Sequence, residues 1–105
     1  MTNDELNDSA NSEQFDRIVH EPARLKILAY LSVVRSADFV FLLNRTGLTY
    51  GNLSSHMSKL EEAGYIKVEK EIKDKRPHTM LSITDKGRSA FNSYRQHMFE
   101  LLSQE

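Results

Sequence analysis

Apolar side chains recur every three or four positions from residue 13 to about residue 63, alternate from 66 to 83, and return to helical spacing afterwards. Phe15, Ile18 and Val19, at i, i+3 and i+4, predict a short first helix over 13–20. Glu21-Pro22 breaks it and begins another, because proline fits the first turn of a helix, where its missing N–H goes unused. Over 23–34, Leu25, Leu28 and Leu31 share a face with Ile27 and Val34 beside them, while Arg24, Lys26 and Arg35 point away, so this helix is expected at the centre of the core. Ser36 is expected to cap a third helix running through Phe39, Leu42 and Leu43 to Arg45 and closed by Gly47. Thr49 then caps a fourth helix over 50–63, closed by Gly64, and only Thr46, Gly47 and Leu48 join the two, the tight link of a helix-turn-helix.

Beyond Gly64, Ile66, Val68 and Ile72 fall on one side of a strand, with Lys67, Glu69, Glu71 and Lys73 on the other. The polar stretch Asp74-Lys75-Arg76-Pro77 follows, and 79–83 reads as a second strand with Leu81 and Ile83 inward. Thr84 caps a last helix to about residue 102, with Asp85 in its first turn and Ala90, Phe91, Tyr94, Met98 and Leu101 as its apolar stripe. The predicted fold is mainly α with a small β-hairpin wing (α+β), a winged helix-turn-helix with an added C-terminal helix.

Composition changes this picture in three places. A chain of 105 residues is of one-domain size, so residues 13–105 are read as a single winged-helix domain and 1–12, polar and acidic, as a flexible tail. There is no cysteine, and the apolar runs are far shorter than the ~18–20 residues of a membrane span, so neither thiolate metal sites nor a transmembrane helix is expected. With no signal-peptide pattern at the start, a cytoplasmic home is expected. The net charge of -1 averages two unlike regions: setting aside Asp4, Glu5, Asp8 and Glu13 of the tail leaves 14 basic against 11 acidic residues, or +3. That balance permits nucleic-acid binding without demanding it.

Candidate chemistry lies on the fourth helix and the hairpin. Leu53, Met57 and Leu60 define its core face, so Gly51, Ser55, Ser58 and Glu62, flanked by Asn52, Lys59 and Ser54, face outward. Small polar side chains let a helix approach base edges in the major groove, where Asn, Ser and Lys form hydrogen bonds, and Tyr50 is placed to reach a phosphate or a thymine methyl. A merely solvated face is the plainer reading, but such faces favour Glu, Lys, Ala and Arg over Gly, Asn and Ser. His56 sits at the edge of the core face, where packing is the expected role. The hairpin carries five cations against three anions, and Lys73, Lys75 and Arg76 gather at its tip, suited to phosphates or the minor groove; lysines on an edge strand also discourage aggregation. Phe15, Ile18 and Val19 at one end and Phe91, Tyr94, Met98 and Leu101 at the other are the expected dimer interface, with 84–102 as the dimerisation helix; folding of the last helix onto its own core is the alternative.

Three segments, PARLKILAYL (22–31), LTYGNLSSHMSKLEEAGYIKVEK (48–70) and RPHTMLSITDKGRSAF (76–91), together resemble the winged-helix regulators of the MarR and ArsR families, in particular their short archaeal and bacterial members. The resemblance covers roughly residues 15–98. It implies a homodimeric repressor or activator of transcription, with 50–62 as recognition helix and 66–83 as wing. Carried over residue by residue, it implies DNA contacts at Thr49, Asn52, Ser54, Ser55, Lys59 and Arg76, and a capping role for Thr84, Gly87 and Arg88. ArsR-type metal ligands cannot be assembled here, so no metal or other cofactor is implied. MarR proteins are longer and cradle ligands between the dimer helices and the DNA-binding lobe, and a chain this short leaves little room for such a pocket.

Double-stranded DNA and a second copy of the chain are therefore the expected partners. The competing reading is a winged helix serving as a protein–protein interaction module, suggested by the low overall charge and the acidic tail. An enzyme is not expected, because no Gly-rich phosphate loop, carboxylate pair or Ser-His-Asp arrangement fits this frame.

Overall fold

The computed structural model of the chain describes residues 16–104; the expected tail, Phe15 and the start of the first expected helix lie outside them. The element order is α1 (Pro22–Leu31), β1 (Ala37–Asp38), α2 (Phe39–Thr46), α3 (Tyr50–Glu62), β2 (Ile66–Lys73), β3 (Arg76–Ile83) and α4 (Asp85–Leu102). Among the described residues, four helices and a three-stranded sheet make the winged helix with its added C-terminal helix.

Helix α1 holds the centre, packing against α2, α3, α4 and β3. Glu21 caps its start by accepting the Arg24 amide at 2.9 Å, and Pro22 occupies the first turn. Ile27, Leu28 and Leu31 are buried, and Leu42, Leu53, Leu60, Leu81 and Val19 complete the inaccessible core. Each such aliphatic side chain contributes roughly 1.5–3 kcal/mol relative to exposure.

The structure corrects four boundaries. Residues 16–20 form a single turn rather than a helix: the His20 amide donates to the Asp16 carbonyl at 2.7 Å, the Asp16 carboxylate accepts from Ile18 and Val19, and Glu21 then turns extended to cap α1. Helix α1 ends at Leu31, leaving Val34, expected beside the core face, 38% exposed. Just past the stop, the Ser32 hydroxyl donates back to the Ala29 carbonyl at 2.7 Å, and the Arg88 guanidinium donates to the Ser32 carbonyl at 3.0 Å. Asp38, not Ser36, caps α2, accepting the Val40 amide at 2.7 Å. Its start is delayed because Ala37 and Asp38 are held extended by pairing with Leu81 and Met80 of β3. Finally, β3 begins at Arg76 rather than Thr79, so the hairpin turn is only Asp74-Lys75.

The sheet has the order β1-β3-β2, all antiparallel. Ile66 faces Ile83 and Val68 faces Leu81 over the core; farther out, Lys70 faces Thr79, Ile72 faces Pro77 and Lys73 faces Arg76. Pro77 fits because β3 has a neighbour on one side only at that point, and the closing pair Lys73–Arg76 puts the next pair in a non-hydrogen-bonded position.

Helix α4 is anchored where it begins. The Thr84 hydroxyl accepts the Gly87 amide at 2.9 Å and donates to the Gly64 carbonyl at 2.6 Å, while the Thr84 amide donates to the Tyr65 carbonyl at 3.0 Å. Gly87 approaches so closely that a Cβ there would stand 2.0 Å from the Tyr65 carbonyl oxygen. The Tyr65 hydroxyl donates to the Asp16 carboxylate, and burial, with that bond and the Asp16 charge, pushes its pKa up to about 12.

Candidate nucleic-acid interface

The link between α2 and α3 follows from three residues. Thr46 turns its hydroxyl back to the Leu42 carbonyl at 2.7 Å, and the Lys26 ammonium donates to the Thr46 carbonyl at 3.3 Å, closing the end of α2. Gly47 then takes φ 74°, a left-handed conformation, and caps the helix by donating to the Leu43 carbonyl at 3.2 Å. Thr49 caps α3, its hydroxyl accepting the Asn52 amide at 3.1 Å.

The phase of α3 is the one its sequence predicts. Leu53 and Leu60 are fully buried and Met57 is half-buried, while Thr49, Tyr50, Gly51, Asn52, Ser55, Ser58, Lys59 and Glu62 are exposed and Ser54 is half-buried. The Tyr50 ring leans on Phe39 of α2, with centroids 5.0 Å apart and an interplanar angle of 57°. A Cβ on Gly51 would meet nothing within 4 Å, so neither packing nor backbone geometry requires glycine there. An exposed helical glycine costs about 0.5–1 kcal/mol relative to alanine.

Behind the outer face of α3 lies a polar brace that the sequence did not reveal. Arg24, expected to point away, donates from Nε to the Ile18 carbonyl at 2.7 Å and from Nη1 to His56 Nδ1 at 3.1 Å. Because a guanidinium only donates, His56 accepts here. His56 thus has the packing role expected of it, and α3 is tied to α1 and the N-terminal turn through a contact spanning 32 residues.

At the wing tip, Lys73, Lys75 and Arg76 are all exposed, on an element separate from α3. Two features there are unfavourable in isolation. Lys73 and Arg76 are direct cross-strand partners of like charge. Asp74 and Lys75 both have positive φ, 54° and 65°, where asparagine or glycine is at ease and lysine is strained by about 1 kcal/mol or more. A polyanion would relieve the charge repulsion. Farther down, Lys67 pairs with Glu69 at 3.4 Å.

The wing and the helix-turn-helix are joined by His78 of β3 and Asp38, whose Nδ1 and Oδ2 lie 2.5 Å apart. Burial pushes the Asp38 carboxyl up, but the hydrogen bonds from His78 and the Val40 amide and the charge of His78 outweigh it and hold the group below its ordinary value.

The residues expected at a dimer interface divide. Val19, Phe91 and Tyr94 are buried in the chain's own core, Ile18 and Met98 are half-buried against it, Leu101 is exposed, and Phe15 lies outside the described residues. Phe99 and Leu102, not singled out from the sequence, are 68% and 75% exposed. Between α1 and α4 runs an open cleft of about 620 Å³, lined by Leu25, Ala29, Phe91, Arg95, Met98 and Phe99 among others. Among the described residues no three His, Asp or Glu side chains are grouped to hold a metal ion, and no helix is long and apolar enough to cross a membrane.

The model of a winged helix DNA-binding domain matches residues 23–102. The uncharacterized protein MJ0432 of Methanocaldococcus jannaschii is 38% identical over 85 residues, spanning 81% of this chain and 92% of that protein. Among solved structures, a transcriptional regulator homologue from Pyrococcus horikoshii OT3 superposes with a TM-score of 0.81 at 32% identity, over 90% of this chain and 94% of that one. MepR of S. aureus, solved in complex with DNA, gives a TM-score of 0.72 at 14% identity over 96% and 82% of the two chains, a likeness of fold alone. With the family model matched over most of its length, this chain belongs to the winged helix DNA-binding domain family.

Proposed function

We propose that the protein is a transcriptional regulator that binds double-stranded DNA as a homodimer, laying α3 in the major groove and the wing tip on the flanking backbone or minor groove. The observation that carries this reading is the outer face of α3, where Gly51, Asn52, Ser55 and Ser58 stand exposed over the buried Leu53 and Leu60. Asn52, Ser54, Ser55 and Ser58 read base edges in this arrangement, and Thr49, Tyr50 and Lys59 hold phosphates at its margin. Lys73, Lys75 and Arg76 hold the backbone on the flank.

The dimer rests on the outer part of α4. Phe99, Leu101 and Leu102 continue the apolar stripe past the body, and a second copy covers them together with Met98 and the open side of the cleft. Two recognition helices then address half-sites about one DNA turn, ~34 Å, apart. Such a protein acts where the DNA is, in the cytoplasm.

Selection of duplexes from a random pool, followed by fluorescence-anisotropy titration at several salt concentrations, tests the reading. Four phosphate-directed cations per protomer (Lys59, Lys73, Lys75, Arg76) give an expected slope of log K against log[salt] of about -3.5 per protomer, or -7 for the dimer. Asn52→Ala lowers affinity without moving the slope, and Arg76→Ala reduces the slope by about 1 per protomer. Absence of salt-sensitive binding to any selected duplex refutes the proposal. Recovery of a stable protein complex from the same preparation would then favour an interaction module.

A further inference from the structure

The alternating pattern of β2 continues beyond the core that it serves. Ile66, Val68, Lys70 and Ile72 share one sheet face, yet burial decays along it from Ile66, buried, through Val68, half-buried, to Ile72, 72% exposed. At about 3.3 Å per residue, Ile72 lies about 13 Å past Val68. Its cross-strand partner is Pro77, also exposed, and Lys70 opposite Thr79 separates the pair from the body. Two apolar side chains thus stand side by side at a hairpin tip whose other residues, Lys73 to Arg76, are all charged. Lys73 and Arg76 are next to them along the strands, and Lys75 is in the turn.

We propose that Ile72 and Pro77 form an apolar wedge that seats on the sugar walls of the DNA minor groove while Lys73, Lys75 and Arg76 hold the phosphates at its edges. The inference rests on the DNA-binding reading and adds a contact sensitive to groove shape. The minor groove matches the tip in layout, with deoxyribose C–H surfaces inside and phosphates along both rims. Pro77 also argues against a protein strand as occupant. It offers no N–H and is found where sheet edges are closed to further pairing. A shape-reading wedge discriminates among sequences by groove width rather than by base-edge hydrogen bonds.

The test compares wild type, Ile72→Thr and Arg76→Ala on a selected duplex and on the same duplex trimmed of the flanking base pairs under the wing. Threonine keeps the β-branch that suits a strand, and Ile72 lies outside the core, so thermal melting confirms an intact fold. On the full duplex Ile72→Thr is expected to bind about tenfold more weakly with an unchanged salt slope, whereas Arg76→Ala lowers the slope. On the trimmed duplex, Ile72→Thr and wild type are expected to bind alike. Wild-type affinity of Ile72→Thr on the full duplex overturns the wedge alone, as does an equal loss on both duplexes. A wild-type protein that binds neither duplex overturns the DNA reading and the wedge with it.

Discussion

Two helical glycines respond in opposite ways to one added methyl group, and the difference tests the interface. Gly51 is in the first turn of α3, where a Cβ meets nothing within 4 Å. Gly51→Ala should therefore stabilise the free protein by about 0.5 kcal/mol, partly by restricting the unfolded chain, and raise Tm by about 2–4 °C. On DNA, that methyl projects from the face that carries Asn52 and Ser55. A retreat of the helix by about 1 Å stretches hydrogen bonds of ~2.9 Å beyond their working range, and losing two of them weakens binding by about 1–2 kcal/mol, or roughly tenfold. Gly87→Ala is the contrast: its Cβ would stand 2.0 Å from the Tyr65 carbonyl oxygen, so α4 must shift and the Thr84 bonds with it. That change should cost about 3 kcal/mol or more in stability. Urea melts read the stabilities and anisotropy the affinity. If Gly51→Ala gains stability and binds DNA as tightly as wild type, the outer face of α3 is not the contact surface and the reasoning fails.

Lys75→Gly should relieve the strain of a left-handed lysine and stabilise the hairpin by about 1 kcal/mol while flattening the salt dependence of DNA binding, a pair of changes read by urea melts and anisotropy. The Asp38 carboxyl titrates below its ordinary value of 3.8, so its ionised form stabilises the fold fully above that pH, and the contribution is lost as the pH falls through the lower folded-state value. Stability measured from pH 6 down to pH 2 should therefore drop more steeply for wild type than for Asp38→Asn; parallel curves would show that the carboxylate is not held by His78 and Val40. Phe99→Glu and Leu102→Glu put charge on exposed apolar positions and should leave the fold intact while yielding monomers in sedimentation analysis.

Local signals carried most of the frame. The caps formed by Gly47, Thr49 and Thr84 reach only three or four residues along the chain, and the strict placement of Leu53, Met57 and Leu60 fixed which face of α3 turns outward. What the sequence hid was decided by residues far along the chain. The start of α2 follows a two-residue pairing with β3, and the residue just past α1 is bonded to Arg88, 56 residues away. The same holds for His56, whose partner Arg24 lies on another helix. An apolar stripe likewise records that a side chain will be covered without recording by what. Phe91 and Tyr94 are covered by this chain itself, whereas Phe99 and Leu102 are left open. Ile72 shows the converse, because a regular alternation says nothing about where the body beneath it ends.

The joint at Thr84 gives the fold a lever. The backbone just past α3, at Gly64 and Tyr65, is bonded to Thr84 at the start of α4, and Gly87 is pressed against Tyr65. Eighteen helical residues extend from that fulcrum, an arm of about 27 Å. A tilt of 5° at the joint moves the far end by about 2 Å, so in a dimer joined at the outer end of α4, small adjustments of helix packing there change the separation of the two reading helices. In the proposed dimer, the spacing of the half-sites would then follow the angle of a joint that itself lies away from the outer face of α3.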